Sequence, residues 1–267
     1  MINMNRMTII WQYRSFILAS VRREFQSKHQ NSLLGAIWAI LSPLAMIIIY
    51  TVIFSQIMKA KLPENDSMYA YSVYLCAGII SWGLFTEIIT RSQTLFLDNA
   101  NILKKLSFPR VILPIIIIIN ACLNFLIIAF IFLFFLLVTQ QLPGWPLFSV
   151  IPVLIIQLLF SIGLGMILGV LNVFFRDIGQ LFSIIIQFWF WLTPIVYPIS
   201  ILPEIVRPAL MILNPMAAII NAYHTIFVQK SQPDWISLTS PLLIAILLCI
   251  IAYYLYIKHA SEIVDEL

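Results

Sequence analysis

Residues 111–175 read VILPIIIIINACLNFLIIAFIFLFFLLV, then TQQLPGWPL, then FSVIPVLIIQLLFSIGLGMILGVLNVFF, without a single charged side chain. A helix needs only about 20 apolar residues to cross a bilayer, so this run holds two crossings. Pro143, Gly144, Trp145 and Pro146 supply turn chemistry in its middle. The stretch therefore reads as two membrane spans, 111–138 and 147–173, joined by a tight external loop.

The flanks fix its orientation. Before it lie Lys104, Lys105, Phe108, Pro109 and Arg110, and positive charge beside apolar spans stays on the cytoplasmic side. Pro109 keeps Phe108 out of the α region, so a short basic helix must stop there. The cluster either serves topology alone or is a connection that a partner grips. After the stretch, Arg176 and Asp177 return the chain to the cytoplasm, and a further span over 178–197 ends between Pro194 and Pro198.

Further out, the region 9–28 is amphipathic. Ile9, Tyr13, Phe16, Ile17, Val21 and Phe25 share one side, with Gln12, Ser15, Arg22, Arg23 and Gln26 on the other. That pattern predicts a helix lying in the membrane interface. Residues 30–58 form the first span and 69–97 the second, which continues as helix through Glu87 and Arg91 towards Asp98. Glu87 and Arg91 lie four apart in the favourable order for pairing. Between Pro208 and Gln229, Asn214 and Pro215 split an apolar segment into halves of about 10 residues, roughly 15 Å of helix each. Over 203–229 this predicts a re-entrant external hairpin. Residues 235–257 are the last span. Arg6, Arg14, Arg22, Arg23, Lys28, Arg91, Lys104, Lys105, Arg110, Arg176 and Lys258 then fall inside, leaving only Lys59, Lys61, Arg207 and Lys230 outside. The expected fold is an all-α polytopic membrane protein: an N-terminal interface helix, six transmembrane helices, a re-entrant hairpin before the last, and both termini cytoplasmic.

Composition agrees: 62% of residues are hydrophobic and 10% charged, with mean hydropathy +1.01. The net charge of +4 is small and confined to juxtamembrane segments, which points to topology and excludes nucleic acid as partner. Cys76, Cys122 and Cys249 sit in or beside apolar spans as fillers. The polar, Arg-rich start lacks signal-peptide character. Gly78 and Gly83 have Walker spacing, but Leu84 and Phe85 stand where Lys and Ser or Thr are required, so no phosphate-binding loop exists. His29, His224 and His259 lie far apart. His29 and His259 read as interfacial and His224 as a polar contact in the hairpin, so no metal or catalytic cluster is expected. The middle of every span is uncharged, which disfavours proton or sodium coupling.

The motifs resemble those of the ABC-2 type polysaccharide-exporting permeases. The residues concerned are Trp38, Pro43 and Tyr50; Phe85, Glu87 and Arg91; Asn99, Ala100, Asn101, Lys104, Lys105, Phe108, Pro109, Arg110 and Pro114; the run Leu171 to Asp177; Pro194, Tyr197 and Pro198; and Asn214 with Pro215. The likeness covers nearly the whole chain as one domain, 1–267, and is similar to the membrane subunit of an O-antigen exporter. It implies a channel-forming homodimer in a bacterial inner membrane, with two copies of a cytoplasmic ABC ATPase below. ATP and Mg would be bound there, with no cofactor in this chain. It also implies a glycan substrate on a polyprenyl diphosphate lipid, a coupling helix at 101–109 anchored by Phe108, and an external gate at Asn214, Pro215 and His224. His224 stands where the family carries a basic residue, often Arg.

A glycan path needs aromatic faces and amides without strong charges, because sugars stack through CH faces and a sliding polymer must not be gripped. Gln180, Ser183, Gln187, Trp191 and Pro194 share one face of the fifth span and, with Trp38, are the channel candidates. Trp near a membrane boundary also serves as an interface anchor. Arg22, Arg23 and Lys28 are placed to meet the lipid diphosphate at the entrance, or anionic headgroups of membrane lipids. Ser161, Gly165 and Gly169 have the small-xxx-small spacing of close helix packing. ABC-2 permeases for capsule, teichoic acid or a small hydrophobic substrate would share this architecture. A membrane-embedded lipid or glycan transferase would need clustered acids or histidines on a loop, which are absent.

Overall fold

In the computed structural model, the described residues are 11–27, 37–53, 62, 67–105, 109, 112–260 and 262–266. They are overwhelmingly helical. In chain order the helices are α1 (Arg14–Ser27), α2 (Trp38–Tyr50), α3 (Ala70–Asp98), α4 (Ala100–Lys105), α5 (Ile112–Val138), α6 (Val150–Phe174), α7 (Asp177–Leu192), α8 (Val206–Leu213), α9 (Pro215–Phe227), α10 (Thr239–Lys258) and α11 (Glu262–Glu266).

Local chemistry accounts for the boundaries. In α3 the hydroxyls that would disturb an apolar helix bond back one turn: Ser81 Oγ donates to the Ala77 carbonyl and Thr90 Oγ1 to that of Thr86, each at 2.7 Å. Gly144 takes φ +70°, a conformation open to glycine, and lets the chain reverse between α5 and α6. The fifth expected span, 178–197, stops as helix at Leu192, because Pro194 drives Thr193 into extended geometry. Pro215 does the same to Asn214, and α8 and α9 meet at a bend of 106°.

Among the described residues, four helical segments are long and apolar enough to cross a membrane: Ala70–Asp98, Ile112–Val138, Trp145–Phe174 and Thr239–Lys258. A fifth results if α8 and α9 count as one broken span. The first and fifth expected spans correspond to shorter apolar helices, Trp38–Ile53 and Asp177–Leu192. For the first, residues 28–36 and 54–61 lie outside those described.

The core forms where α3, α6 and α9 meet, around Phe85, Phe160, Met216, Ile219, Ile220 and Tyr223. α10 packs along α6. The small-residue stripe does what its spacing predicts: a Cβ on Gly165 would lie 2.9 Å from Ser92 Cβ, and one on Gly169 only 2.4 Å from the Ser92 carbonyl oxygen. α1 buries Ile17 and Val21 against Ile112 and Ile116 of α5. The acidic C-terminal segment, which carried no structural expectation, forms α11. Its Ile263 is fully buried beside Leu103 of α4, Phe96 and Val170.

Candidate functional site

The four consecutive aromatics of α7 divide between two sides. Trp189 turns inward, its ring centroid 5.3 Å from that of Phe85 and 6.2 Å from Phe160. Phe190 lies 5.8 Å from Trp82. Phe188 and Trp191 face outward, 68% and 64% exposed. Gln180, Ser183 and Gln187 are exposed too, so the polar stripe lies open on the surface of the chain as far as Trp191, whereas Pro194, expected on the same face, lies past the helix end and is buried. Asp177 in the first turn suits the positive end of the helix dipole. Trp38, also exposed, is carried by α2, which packs on α5 and α3.

The helix pair α8–α9 is held by side chains at its bend. Asn214 accepts from the Ala217 amide at 3.2 Å as the N-cap of α9. It also accepts from the Trp189 indole N–H at 2.8 Å, and its amide donates to Thr193 Oγ1 at 3.0 Å. One residue thus joins the start of α9 to the end of α7. His224 is buried and stacks on Tyr74, with ring centroids 3.6 Å apart, and its Nε2 has no hydrogen-bond partner among the described residues. The Tyr74 hydroxyl reaches the carbonyls of Pro194 at 2.9 Å and Tyr197 at 2.8 Å. That of Tyr71 donates to Val196 at 2.6 Å. Deeper, Tyr223 donates to Gln157 Oε1 at 2.8 Å, and the Gln157 amide donates to the Ser81 carbonyl at 2.6 Å. α9 is thereby pinned to α3 and α6 by groups that sequence reasoning missed. A lone glutamine within an uncharged span was the visible signal.

At the opposite end of α3, Arg91 pairs with Glu24 of α1 and lies 3.6 Å from Glu87. Asn120 donates to Glu24 at 2.6 Å and Asn124 to Glu87 at 2.7 Å. The expected Glu87–Arg91 pair is thus the looser half of a network joining α1, α3 and α5. Nearby, Asn172 donates to the Gln93 carbonyl at 2.9 Å and accepts from the Gly179 amide at 3.0 Å. Within the Leu171–Asp177 motif it ties α3, α6 and α7 together. Of the coupling candidates, Lys104 is exposed at the end of α4 and Pro109 is half-buried. Phe108, Arg110 and the side chain of Lys105 lie outside the described residues.

The three entrance cations are not gathered in one place. Arg22 lines an apolar groove of about 1010 Å³ between α1, α2 and α5, with Leu18, Ile40, Leu126 and Phe130. Arg23 faces a different, charged cavity, and Lys28 lies outside the described residues. Among the described residues, no group of three or more His, Cys, Asp or Glu side chains converges as a metal site.

Comparison with known proteins places these features. The family model of the ABC-2 type transporter matches residues 15–228. The O-antigen export system permease protein RfbA of Myxococcus xanthus is 29% identical over 226 residues, covering 84% of this chain and 85% of that protein. An RfbA permease of Klebsiella pneumoniae is 30% identical over 214 residues, 80% of each chain. The polysialic acid transport protein KpsM of Escherichia coli is 24% identical over 187 residues, 68% of this chain and 69% of its own. From Phe16 of α1 to Phe227 at the end of α9, the helices and junctions described above lie within the matched region, and the chain belongs to the ABC-2 type transporter family as a membrane subunit.

Proposed function

We propose that this chain is the channel-forming subunit of an ATP-driven exporter of polyprenyl-diphosphate-linked O-antigen polysaccharide across a bacterial inner membrane. Two copies would build the channel, and a separate cytoplasmic ATPase would dock at the 101–109 segment. Lys104 and Lys105 would steer that docking, Phe108 would anchor it, and Pro109 and Arg110 would end it. Both termini are cytoplasmic in this reading, with six spans. α8 and α9 then form a re-entrant gate hairpin at Asn214, Pro215 and His224. Their sharp bend supports this, as do their lengths of 8 and 13 residues, since a crossing needs about 20.

The observation that carries the reading is the exposed, uncharged α7 stripe of Gln180, Ser183, Gln187 and Trp191, on a chain whose relatives are named for O-antigen export. Amides and one open aromatic ring suit a sliding sugar polymer. The apolar groove suits an isoprenoid tail, and Arg22 at its rim is the entrance cation best placed for the diphosphate. A capsule polysaccharide is the second reading, favoured by the likeness to KpsM at lower identity. The test is complementation of a strain lacking the chain, with surface glycan and membrane abundance measured together. The native chain is expected to restore surface glycan, and Phe108→Ala with Lys105→Glu is expected to reach the membrane yet leave lipid-linked glycan inside. Normal export by that double variant would overturn the coupling assignment.

A further inference from the structure

Between α1, the end of α3, α4 and the start of α5 lies a cavity of about 550 Å³, within the range of small-ligand sites. Four charged residues line it: Arg23, Glu24, Arg91 and Asp98. Two of these are already spent on each other, because Arg91 pairs with Glu24, whose second oxygen accepts from Asn120. The side chains of Arg23 and Asp98 make no hydrogen bond or ion pair among the described residues. The cavity therefore presents one available cation and one available anion. Its remaining wall is largely apolar, with Phe16, Ile102 and Ile116.

This arrangement selects by charge. The four lining charges cancel, and Glu87 behind Arg91 adds a fifth, negative one. A diphosphate or an acidic lipid would gain Arg23 but meet Asp98, and a simple cation would gain Asp98 but face Arg23. A molecule carrying both signs satisfies both groups. Its cation must also donate hydrogen bonds, because a carboxylate is a pure acceptor and charge-assisted N–H bonds are the stronger kind. The position beside an amphipathic helix and the apolar wall call for acyl chains. We propose that this cavity binds a zwitterionic phospholipid bearing a primary amine, with Arg23 on the phosphate and Asp98 on the ammonium. The bound lipid would wedge α1 against α3 and α5. The inference needs only that the chain is a membrane protein, and it stands apart from the glycan reading.

The test uses the purified full-length chain in detergent, titrated with phosphatidylethanolamine, phosphatidylcholine and phosphatidylglycerol of identical acyl chains. Bound lipid is read by native mass spectrometry. We expect the ethanolamine lipid to be retained about fivefold over the other two, the scale of one ion pair at a partly exposed site. Asp98→Asn should bring ethanolamine and choline lipids to within about twofold of each other. Arg23→Gln should weaken both. Elution volume and melting confirm that each variant is folded, and the lipid preference of the native chain needs no variant at all. Glycerol lipid retained as well as ethanolamine lipid would overturn the proposal, as would an unchanged preference in folded Asp98→Asn. Competition by phosphoethanolamine without acyl chains at equal concentration would overturn the assignment to a lipid.

Discussion

α3 buries most of its length, including Ser72, Ser81, Ser92 and Gln93, whereas the more apolar α7 buries only Ile186. In water the opposite ranking would be expected. In a bilayer, lipid solvates an apolar face as well as protein does, so hydrophobicity gives no reason to bury α7. What draws α3 inward is close approach and polar need. Gly165 and Gly169 admit its backbone, and its Ser81 carbonyl receives the Gln157 amide that hydrocarbon could not satisfy. α3, α6 and α9 form a fixed frame, and α7 is hung on it by Trp189, leaving a face for lipid, a second copy or substrate.

The largest effect on this contrast should come from Gly169→Leu. A Cβ there would sit 2.4 Å from the Ser92 carbonyl oxygen, and backbone cannot swing aside as a side chain can. Overpacking of this kind costs about 1–3 kcal/mol or more, so folded chain recovered in detergent should fall severalfold. Normal yield and melting would mean that α3 and α6 are not in close contact.

Next is Asn214→Ala, which removes a helix cap and leaves the Trp189 N–H unpaired. A loss of about 1–2 kcal/mol is expected, read as a lower midpoint of heat-induced aggregation. Asn214→Asp keeps the acceptor for Ala217 and Trp189 and should recover more than half of that loss. If Asp behaves like Ala, the junction between α7 and α9 is not what stabilises the bend.

A smaller effect is expected from Tyr223→Phe, which deletes the hydroxyl bonded to Gln157. Interhelical hydrogen bonds in membranes average about 0.6 kcal/mol, so the midpoint should move by only a few degrees. A collapse of folding would place Gln157 at the centre of a larger network.

The contrast between α3 and α7 was only half legible in the sequence. Charge-free runs disclosed the long helices, and Pro143 with Gly144 disclosed the reversal between α5 and α6, because these are local rules. The bend at Asn214–Pro215 followed from proline chemistry, and the Gly165–Gly169 contact from spacing. Which aromatic of residues 188–191 turns inward was not legible, since four adjacent rings cover every face and only the positions of Phe85 and Phe160 decide. The double role of Glu24, holding Arg91 and Asn120, was hidden because those partners lie 67 and 96 residues away. The split of Arg22 and Arg23 between two cavities depends on how α1 rolls against α5. Of the segment expected to couple to an ATPase, 101–109, residues 106–108 fall outside the described residues.

The smallest effect on folding, and the sharpest test of the open face, should come from Gln187→Ala combined with Trp191→Ala. Both side chains are exposed on the chain, and neither side chain takes part in the Asn214 junction, so membrane abundance should stay at the native level. If the face lines a glycan path, surface glycan should nevertheless fall. Stacking one sugar on one ring contributes about 1 kcal/mol beyond burial, roughly fivefold in occupancy, and the lost amide adds to it. Trp191→Ala alone should therefore slow export without abolishing it. Phe190→Ala is the matched contrast, because that ring packs on Trp82 and its loss should lower abundance first, with export falling in proportion. Phe188, exposed on the same helix, separates substrate from lipid: Phe188→Ala should leave both readouts unchanged if it faces acyl chains. A double variant that exports normally while Phe188→Ala fails at equal abundance would place the path along Phe188 and leave the Gln187 and Trp191 face to lipid or a second copy.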